Sequence, residues 1–232
     1  MGKVIAIDGP SGAGKSTVAK ELAKKLGFSY LDTGALYRAV ALALREKGIE
    51  PDDSDDKILE ALRGIALTFN DGRVYLKENT EHRTQDTESF DGRDVSEEIR
   101  SPEIGHYSSV FSARKVVRDF LLNIQRDAAM SSDLVAEGRD MTTVVFPDAW
   151  KKFYLDASLN ERAKRRYLQM RENGTEITES VAEKDVVERD ARDSSRDIAP
   201  LKKADDAVLI DSSVMTVSEV LENILKIIRA DH

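Results

Sequence analysis

The sequence contains no cysteine. That excludes a disulfide framework, a thiolate nucleophile and Cys-ligated zinc. Histidine is almost as scarce: His82, His106 and His232 share no ligand spacing, so no His-based metal site is expected. Long apolar runs are missing too. None approaches the ~18 residues needed to span a bilayer. The opening MGKVIAIDGP has one lysine and no small-residue cleavage site, so it reads as a short buried strand and not as a signal peptide. The expected address is the cytoplasm, with no membrane partner. An excess of basic residues is also lacking, since 35 Lys+Arg stand against 43 Asp+Glu for a net charge of −8. Non-specific nucleic-acid binders are usually basic, so no nucleic-acid partner is expected. A phosphorylated substrate would have to be held by local arginines and backbone N–H groups against an unfavourable mean field.

With 232 residues, 41% of them apolar and 34% charged, the chain suits one large soluble domain or one domain carrying an insertion. Short apolar runs at 4–7, 29–31, 134–136, 153–155 and 208–210 read as strands. Helical patterns separate them. The first runs over 14–26, with Val18, Leu22, Ala23 and Leu26 on one face and Gly27 as its stop. A second, capped by Asp32-Thr33, runs over 34–47 and a third over 57–66. A long helical region covers 101–129, with a break near Ser108. Ser158-Leu159-Asn160-Glu161 and Thr216-Val217-Ser218-Glu219 are capping boxes opening two later helices, and another covers 181–195. Alternating strands and helices imply a parallel sheet with helices on both faces. The stretch 67–76 instead reads as a β-hairpin turning at Asn70-Asp71-Gly72, so residues 57–100 are expected to form an inserted subdomain.

Gly9-Pro10-Ser11-Gly12-Ala13-Gly14-Lys15-Ser16 matches G-x-x-x-x-G-K-[ST] in full, between a strand and a helix. Glycines let the backbone wrap an anion, and the N–H groups of the helix N-terminus face it. Lys15 would meet the β- and γ-phosphates and Ser16 would ligate Mg²⁺, and Thr17 is counted with them in the ATP-binding set. The motif implies nucleotide binding and leaves the second substrate open.

Three further groups lie where ligands bind in such sheets, after the carboxyl ends of strands. At Asp32-Thr33-Gly34 a phosphate could rest on a helix N-terminus with Arg38 as its fork, or Asp32 could be an ordinary cap. Glu137-Gly138-Arg139-Asp140 could point Arg139 into a cleft, with Glu137 or Asp140 holding a Mg²⁺ water, orienting an arginine or accepting from a base amino group; a surface turn would read the same. Arg189, Arg192, Asp193 and Arg196 share one helix face at i, i+3, i+4 and i+7. Like charges so placed repel unless an anion lies among them, although a solvated charged face has the same spacing. Arg162, Arg165 and Arg166, near Asn173-Gly174, suit a lid that excludes water or a plain exposed helix.

Taken together, IDGPSGAGKST (7–17), LDTGALYR (31–38), DVSEEIR (94–100), EGRDMTTVVFPDA (137–149), FYLDAS (153–158), ERAKRR (161–166), ERDARDSSRDIAPL (188–201) and ADDAVLIDSS (204–213) resemble the bacterial cytidylate kinases over nearly the whole chain. The resemblance implies an α/β fold of the P-loop NTPase class, a three-layer αβα arrangement with a five-stranded parallel sheet. A core of 1–56 and 101–232 would carry a small α+β subdomain at about 57–100 and a helical lid at about 158–196. It implies ATP-dependent phosphorylation of CMP, and of dCMP, with Mg²⁺ as cofactor and a monomeric chain. Thr33, Arg38 and Arg139 would then take the CMP phosphate, and Asp32 would belong to the same CMP-binding set. Ser109, Arg118 and Asp140 would read cytosine, and Arg189 with Asp193 would contact the ribose. Arg196 would bridge toward the transferred phosphoryl, and Arg162 and Arg166 would serve ATP. Lys15, Arg139, Arg189 and Arg196 form the implied catalytic set. One departure is Thr142, where the family often has glycine, and another is the long polar stretch 79–90. The rival readings are a P-loop kinase for UMP, AMP or shikimate, and a nucleotide-dependent switch protein. A GTPase switch would want an N-K-x-D motif, which the sequence lacks.

Overall fold

The central apolar runs, 4–7 and 134–136, become strands buried on both faces, while those at the sheet edges, 29–31 and 208–210, stay partly exposed. In the computed structural model, which describes residues 2–70, 72–78, 92–172 and 174–230, the first such run is β1 (Val4–Asp8), buried at every position. It leads through the glycine-rich loop to α1 (Lys15–Leu26), then β2 (Ser29–Asp32) and α2 (Thr33–Glu46). Next come α3 (Asp55–Arg63), β3 (Ile65–Asn70), β4 (Arg73–Glu78) and the two-residue β5 (Arg93–Asp94). A 3₁₀ turn at Glu98–Arg100 precedes α4 (Pro102–Phe111) and α5 (Lys115–Asp127). After β6 (Leu134–Glu137) comes a π-helical turn, Met141–Val145. The chain ends with β7 (Lys151–Asp156), α6 (Leu159–Glu172), α7 (Glu179–Ser195), β8 (Val208–Asp211) and α8 (Val217–Ala230).

The main sheet has the order β2-β6-β1-β7-β8. β1 pairs in parallel with β6 and β7, and β7 with β8. Ile7 is in register with both Glu137 and Phe153. The chain therefore leaves β1 and β6 at the same edge, which sets the glycine-rich loop beside residues 137–140. This is the α/β, P-loop NTPase class of fold.

Two compact units divide the chain. The first, Met1–Leu31 with Arg126–His232, contains the main sheet's core. Ile5, Ile7, Leu22, Val135, Phe153 and Ile224 meet there, and α8 adds Val220, Leu221 and Ile228 at helical spacing. The second unit, Asp32–Gln125, is organised on α2. That helix is buried almost all round, as its alanine-rich sequence permits, and packs on α3, α4, β3 and β4. The antiparallel sheet β3-β4-β5 lies in this unit, as do the described residues of the stretch 57–100. Its first two strands pair from Ile65↔Glu78 to Asn70↔Arg73, as the hairpin pattern predicts. Asp71 of the expected turn, the polar stretch 79–90, Asn173, His82 and His232 lie outside the described residues.

The structure corrects two local expectations. The long helical region breaks at 112–114 and not near Ser108, which is buried within α4. Ser112 Oγ donates to the Ser109 carbonyl (2.9 Å), and Arg114 turns its guanidinium to the carbonyls of Pro51 and Asp53. The third helix starts earlier, at Asp55, because Ser54 caps it by accepting from Lys57 N. β5 and the π-helical turn carry no periodic signal and were not expected.

The capping box of α8 is reciprocal. Glu219 N donates to Thr216 Oγ1 (3.3 Å), while Thr216 N and Oγ1 donate to Glu219 Oε2 (2.8 Å each). Thr216→Ala should lower unfolding free energy by about 1 kcal/mol in a urea titration.

Candidate active site

The glycine-rich loop is built for an anion by what its backbone must do. Gly9 (φ 151°) sits where a Cβ would lie 1.9 Å from the Leu155 carbonyl oxygen. At Gly12 (φ 76°) a Cβ would meet the Arg162 carbonyl oxygen at 2.6 Å. The N-terminus of α1 has no side-chain cap and no acidic residue in its first turn. Its N–H groups and positive dipole end are thus left for a negative ligand.

Lys15 is buried, and its Nζ donates to the Pro10 carbonyl (2.7 Å). Burial and the nearby positive charge of Arg139 bring its pKa down to about 7; Glu137 and Asp8 pull the other way. Ser16 Oγ donates to Glu137 Oε1 (2.6 Å), and Tyr30 Oη reaches the same oxygen at 3.4 Å. Hydroxyl and carboxylate oxygens side by side at the loop are a fitting donor pair for Mg²⁺, which keeps most of its shell as water and substrate phosphate. Among the described residues no group of three or more His, Cys, Asp or Glu could hold a metal.

Residues 137–140 place Arg139 against α7. Its Nε donates to Asp193 Oδ2 (2.7 Å), and both side chains are largely buried. Asp193 is also acted on by Arg189 and Arg196. Burial alone would raise its pKa, but these three guanidinium groups hold it below the usual carboxylate range. Arg196 corrects a geometric expectation. α7 ends at Ser195, and Arg196 is extended (φ −67°, ψ 141°), so it does not lie on the helix face with Arg189 and Arg192. Its Nε donates to the Ala199 carbonyl (2.6 Å), across a turn in which Ala199 takes a left-handed φ of 49°. From there its Nη atoms stand 3.8 Å from Asp193 and 3.9 Å from Asp140. The end of the helix at Ser195 lets Arg196 join Arg139 and Arg189 in acting on Asp193.

Arg162 and Arg166 meet α7 rather than open solvent. Arg166 Nε donates to Asp185 (2.8 Å). Arg162 pairs with Asp190 and donates to the carbonyls of Ser11 (3.1 Å) and Ala157 (2.9 Å). Arg165, flagged only as part of a cluster, donates to the carbonyls of Ala13 and Ser212.

In the second unit, Asp32 caps α2 by accepting from Ala35 N (2.8 Å), and Arg38 Nη2 donates to the same carboxylate (3.2 Å). Nε of Arg38 is buried without a protein acceptor. Thr33, Ser109 and Arg118 are buried. Arg118 Nη1 donates to the Ser112 carbonyl (3.2 Å), and its guanidinium lies 5.5 Å from the Tyr37 ring centroid.

Sequence reasoning missed Asp8, which is wholly buried at the end of β1. It accepts from Met141 N (2.9 Å), Thr142 N (2.7 Å) and Thr142 Oγ1 (2.6 Å), and burial raises its pKa. Thr142, the departure noted in the sequence, thus adds a hydroxyl bond that glycine could not make. Asp190 was missed as well, and its only signal was its place between Arg189 and Arg192.

A sequence profile of the family described as cytidylate kinase matches residues 5–230. The chain belongs to the cytidylate kinase family. The cytidylate kinase of Thermodesulfovibrio yellowstonii is 53% identical, with 100% of each chain covered. That of Geobacter sulfurreducens is 46% identical over 98% of this chain and 93% of its own. A solved structure of an uncharacterized protein from Eubacterium ventriosum shares the fold at TM-score 0.52 and 16% identity, covering 98% of both chains. Of the blocks that carried the resemblance, 7–17 and 137–149 form the glycine-rich loop and the turn after β6, and 188–201 supplies Arg189, Asp193 and Arg196.

The lowered Lys15 pKa has a measurable sign. Between about pH 7 and its ordinary 10.5 the folded chain binds fewer protons than the unfolded chain at this residue. This group's contribution to stability therefore rises with pH across that window. A polyphosphate in the loop should restore the ammonium. Tripolyphosphate binding near pH 8, measured calorimetrically in buffers of differing ionisation enthalpy, should take up a proton that is lost in Lys15→Met.

Proposed function

We propose that this chain is an ATP-dependent kinase that phosphorylates CMP, and with it dCMP, to the diphosphate. One observation carries the phosphoryl-transfer part. A lysine is buried in a phosphate loop beside Arg139 and Arg189, in a protein of net charge −8. Such crowding of cations is costly without an anion and becomes favourable when phosphates arrive. The choice of CMP rests on membership of the family.

An oxygen of the CMP phosphate attacks the γ-phosphorus, the bond from that phosphorus to the β–γ bridging oxygen breaks, and ADP leaves. A phosphate monoester is already mostly dianionic at pH 7, so no general base is required. Catalysis is positioning and charge neutralisation. Residues 9–17 hold the ATP phosphates, Lys15 meets the γ-phosphoryl, and Arg139, Arg189 and Arg196 neutralise charge as it shifts. Ser16 would hold Mg²⁺, with Glu137 beside it; Mg²⁺ supplies further neutralisation of the phosphates when bound.

On the acceptor side, Thr33, Arg38 and Arg139 take the CMP phosphate, with Asp32 beside them in the CMP site. Arg189 and Asp193 take the ribose. Ser109, Arg118 and Asp140 read cytosine. A carboxylate accepts from the cytosine amino group, where uracil offers only a carbonyl, so UMP is disfavoured. Residues 158–196, with Arg162 and Arg166 serving ATP, act as a lid, and residues 57–100 as the nucleoside-monophosphate-side subdomain. The working form is a cytoplasmic monomer. Among the described residues no helix is long and apolar enough to cross a membrane.

A panel of CMP, dCMP, UMP and AMP with ATP, followed by ADP release, tests the assignment: CMP and dCMP should turn over far faster than the others. A preference for AMP or UMP would overturn it. Lys15→Ala should cut kcat by more than about a hundredfold in a folded protein. Arg38→Ala should raise the KM for CMP by about tenfold or more, the cost of one charged hydrogen bond, with the KM for ATP little changed.

A further inference from the structure

Within the first unit, one contact to the phosphate loop comes from a residue that no step above uses. Asp190, on α7, accepts from Ser11 N through Oδ1 (2.9 Å). Its other oxygen pairs with Arg162, which in turn donates to the Ser11 carbonyl (3.1 Å). Both backbone polar groups of Ser11 are therefore gripped, the N–H by α7 and the C=O by α6. Arg162 is anchored from behind by the Ala157 carbonyl (2.9 Å). The two side chains are only 12% and 19% exposed, so the ion pair is shielded from water and held in one geometry.

The place of this grip matters. Ser11 directly precedes Gly12, where the loop turns through φ 76° beneath the Arg162 backbone. An anion-binding loop works because its N–H groups already point inward before the ligand arrives. A loop of glycines does not hold such a shape by itself, since glycine has the most conformational freedom to lose. Asp190 also lies one turn before Asp193, which binds Arg139. Two carboxylates on one face of α7 thus fasten that helix to both loops at the sheet edge.

We propose that Asp190 is a positioning residue for the phosphate loop: with Arg162 it clamps the Ser11 peptide and keeps the loop in its anion-receiving shape. This rests on reading that loop as the ATP site, and it does not depend on which acceptor is used. Asp190 touches no substrate in this role and acts through the backbone of Ser11.

The test is direct titration of the full chain with ATP·Mg²⁺, with no acceptor present, by calorimetry. Asp190→Ala should weaken ATP binding by about tenfold or more, as expected for loss of a charged hydrogen bond. Asp190→Asn should fall between, because its amide oxygen can still accept from Ser11 N but no longer neutralises Arg162. CMP affinity without ATP should stay within about twofold in both. Glu188→Gln, which alters the same helix where Glu188 faces Lys184, should bind ATP like the parent. Adding Arg162→Ala to Asp190→Ala should cost less than Arg162→Ala costs alone, since the two share one clamp. A merely structural role would lower thermal stability and leave the ATP affinity of the folded fraction unchanged, and that result overturns the proposal. So does tighter ATP binding in either variant, or a loss of CMP affinity equal to the loss for ATP. Should Asp190→Ala fail to fold, Asp190→Asn decides alone. A parent that binds ATP but phosphorylates another acceptor would overturn the CMP reading and leave this measurement intact.

Discussion

Cations held out of water at the carboxyl edge of one sheet set the terms for the rest of this molecule. Lys15, Arg139, Arg189 and Arg196 converge there, and Asp193 is the carboxylate on which the three arginines act. Burial, with the positive charges of Arg139 and Arg189, brings the lysine's pKa down to about 7. On the proposed function, a site in that state is primed for phosphate. Anionic oxygens entering it are met by donors that are already desolvated and directed, so little reorganisation is left to oppose binding or transfer.

Holding such a cluster in place requires anchors, and three aspartates supply them. Asp8 ties the end of β1 to the π-helical turn after Arg139, through two backbone N–H groups and the Thr142 hydroxyl. Asp193 ties α7 to Arg139, and Asp190 ties α7 to the phosphate loop. Each works by accepting hydrogen bonds in partly or wholly desolvated surroundings, where such bonds are strong and their loss is costly. The result is a site whose flexible-looking parts, a glycine loop and a sharp turn, are fastened by short side chains from neighbouring elements. The left-handed Ala199 belongs to the same scheme, since its carbonyl fixes Arg196.

The alternation of strand and helix was legible in the chain because burial writes periodicity into sequence. All five strands of the main sheet, both capping boxes and the phosphate loop stand within a few residues of where pattern alone put them. Where pattern failed, side-chain chemistry at a distance had overridden it. The helix break moved to 112–114 because Arg114 found carbonyls some sixty positions earlier in the chain. β5 is two polar residues long and exists only because β4 offers it an edge.

What the sequence alone determined was the kind of chemistry. A full phosphate-loop motif between strand and helix, and arginines concentrated in an acidic chain, depend on local backbone geometry and composition, and both survive in a string of letters. Which carboxylate answers which arginine was decided only by the fold. Asp193 could be counted against the arginines of its own helix, but its hydrogen-bonded partner, Arg139, comes from a loop 54 positions away. Arg196 left its predicted helix face because the chain turned at Ser195. Ion pairs form wherever packing brings opposite charges together out of water, and that proximity is a property of the tertiary structure, for which spacing along the chain carries no record.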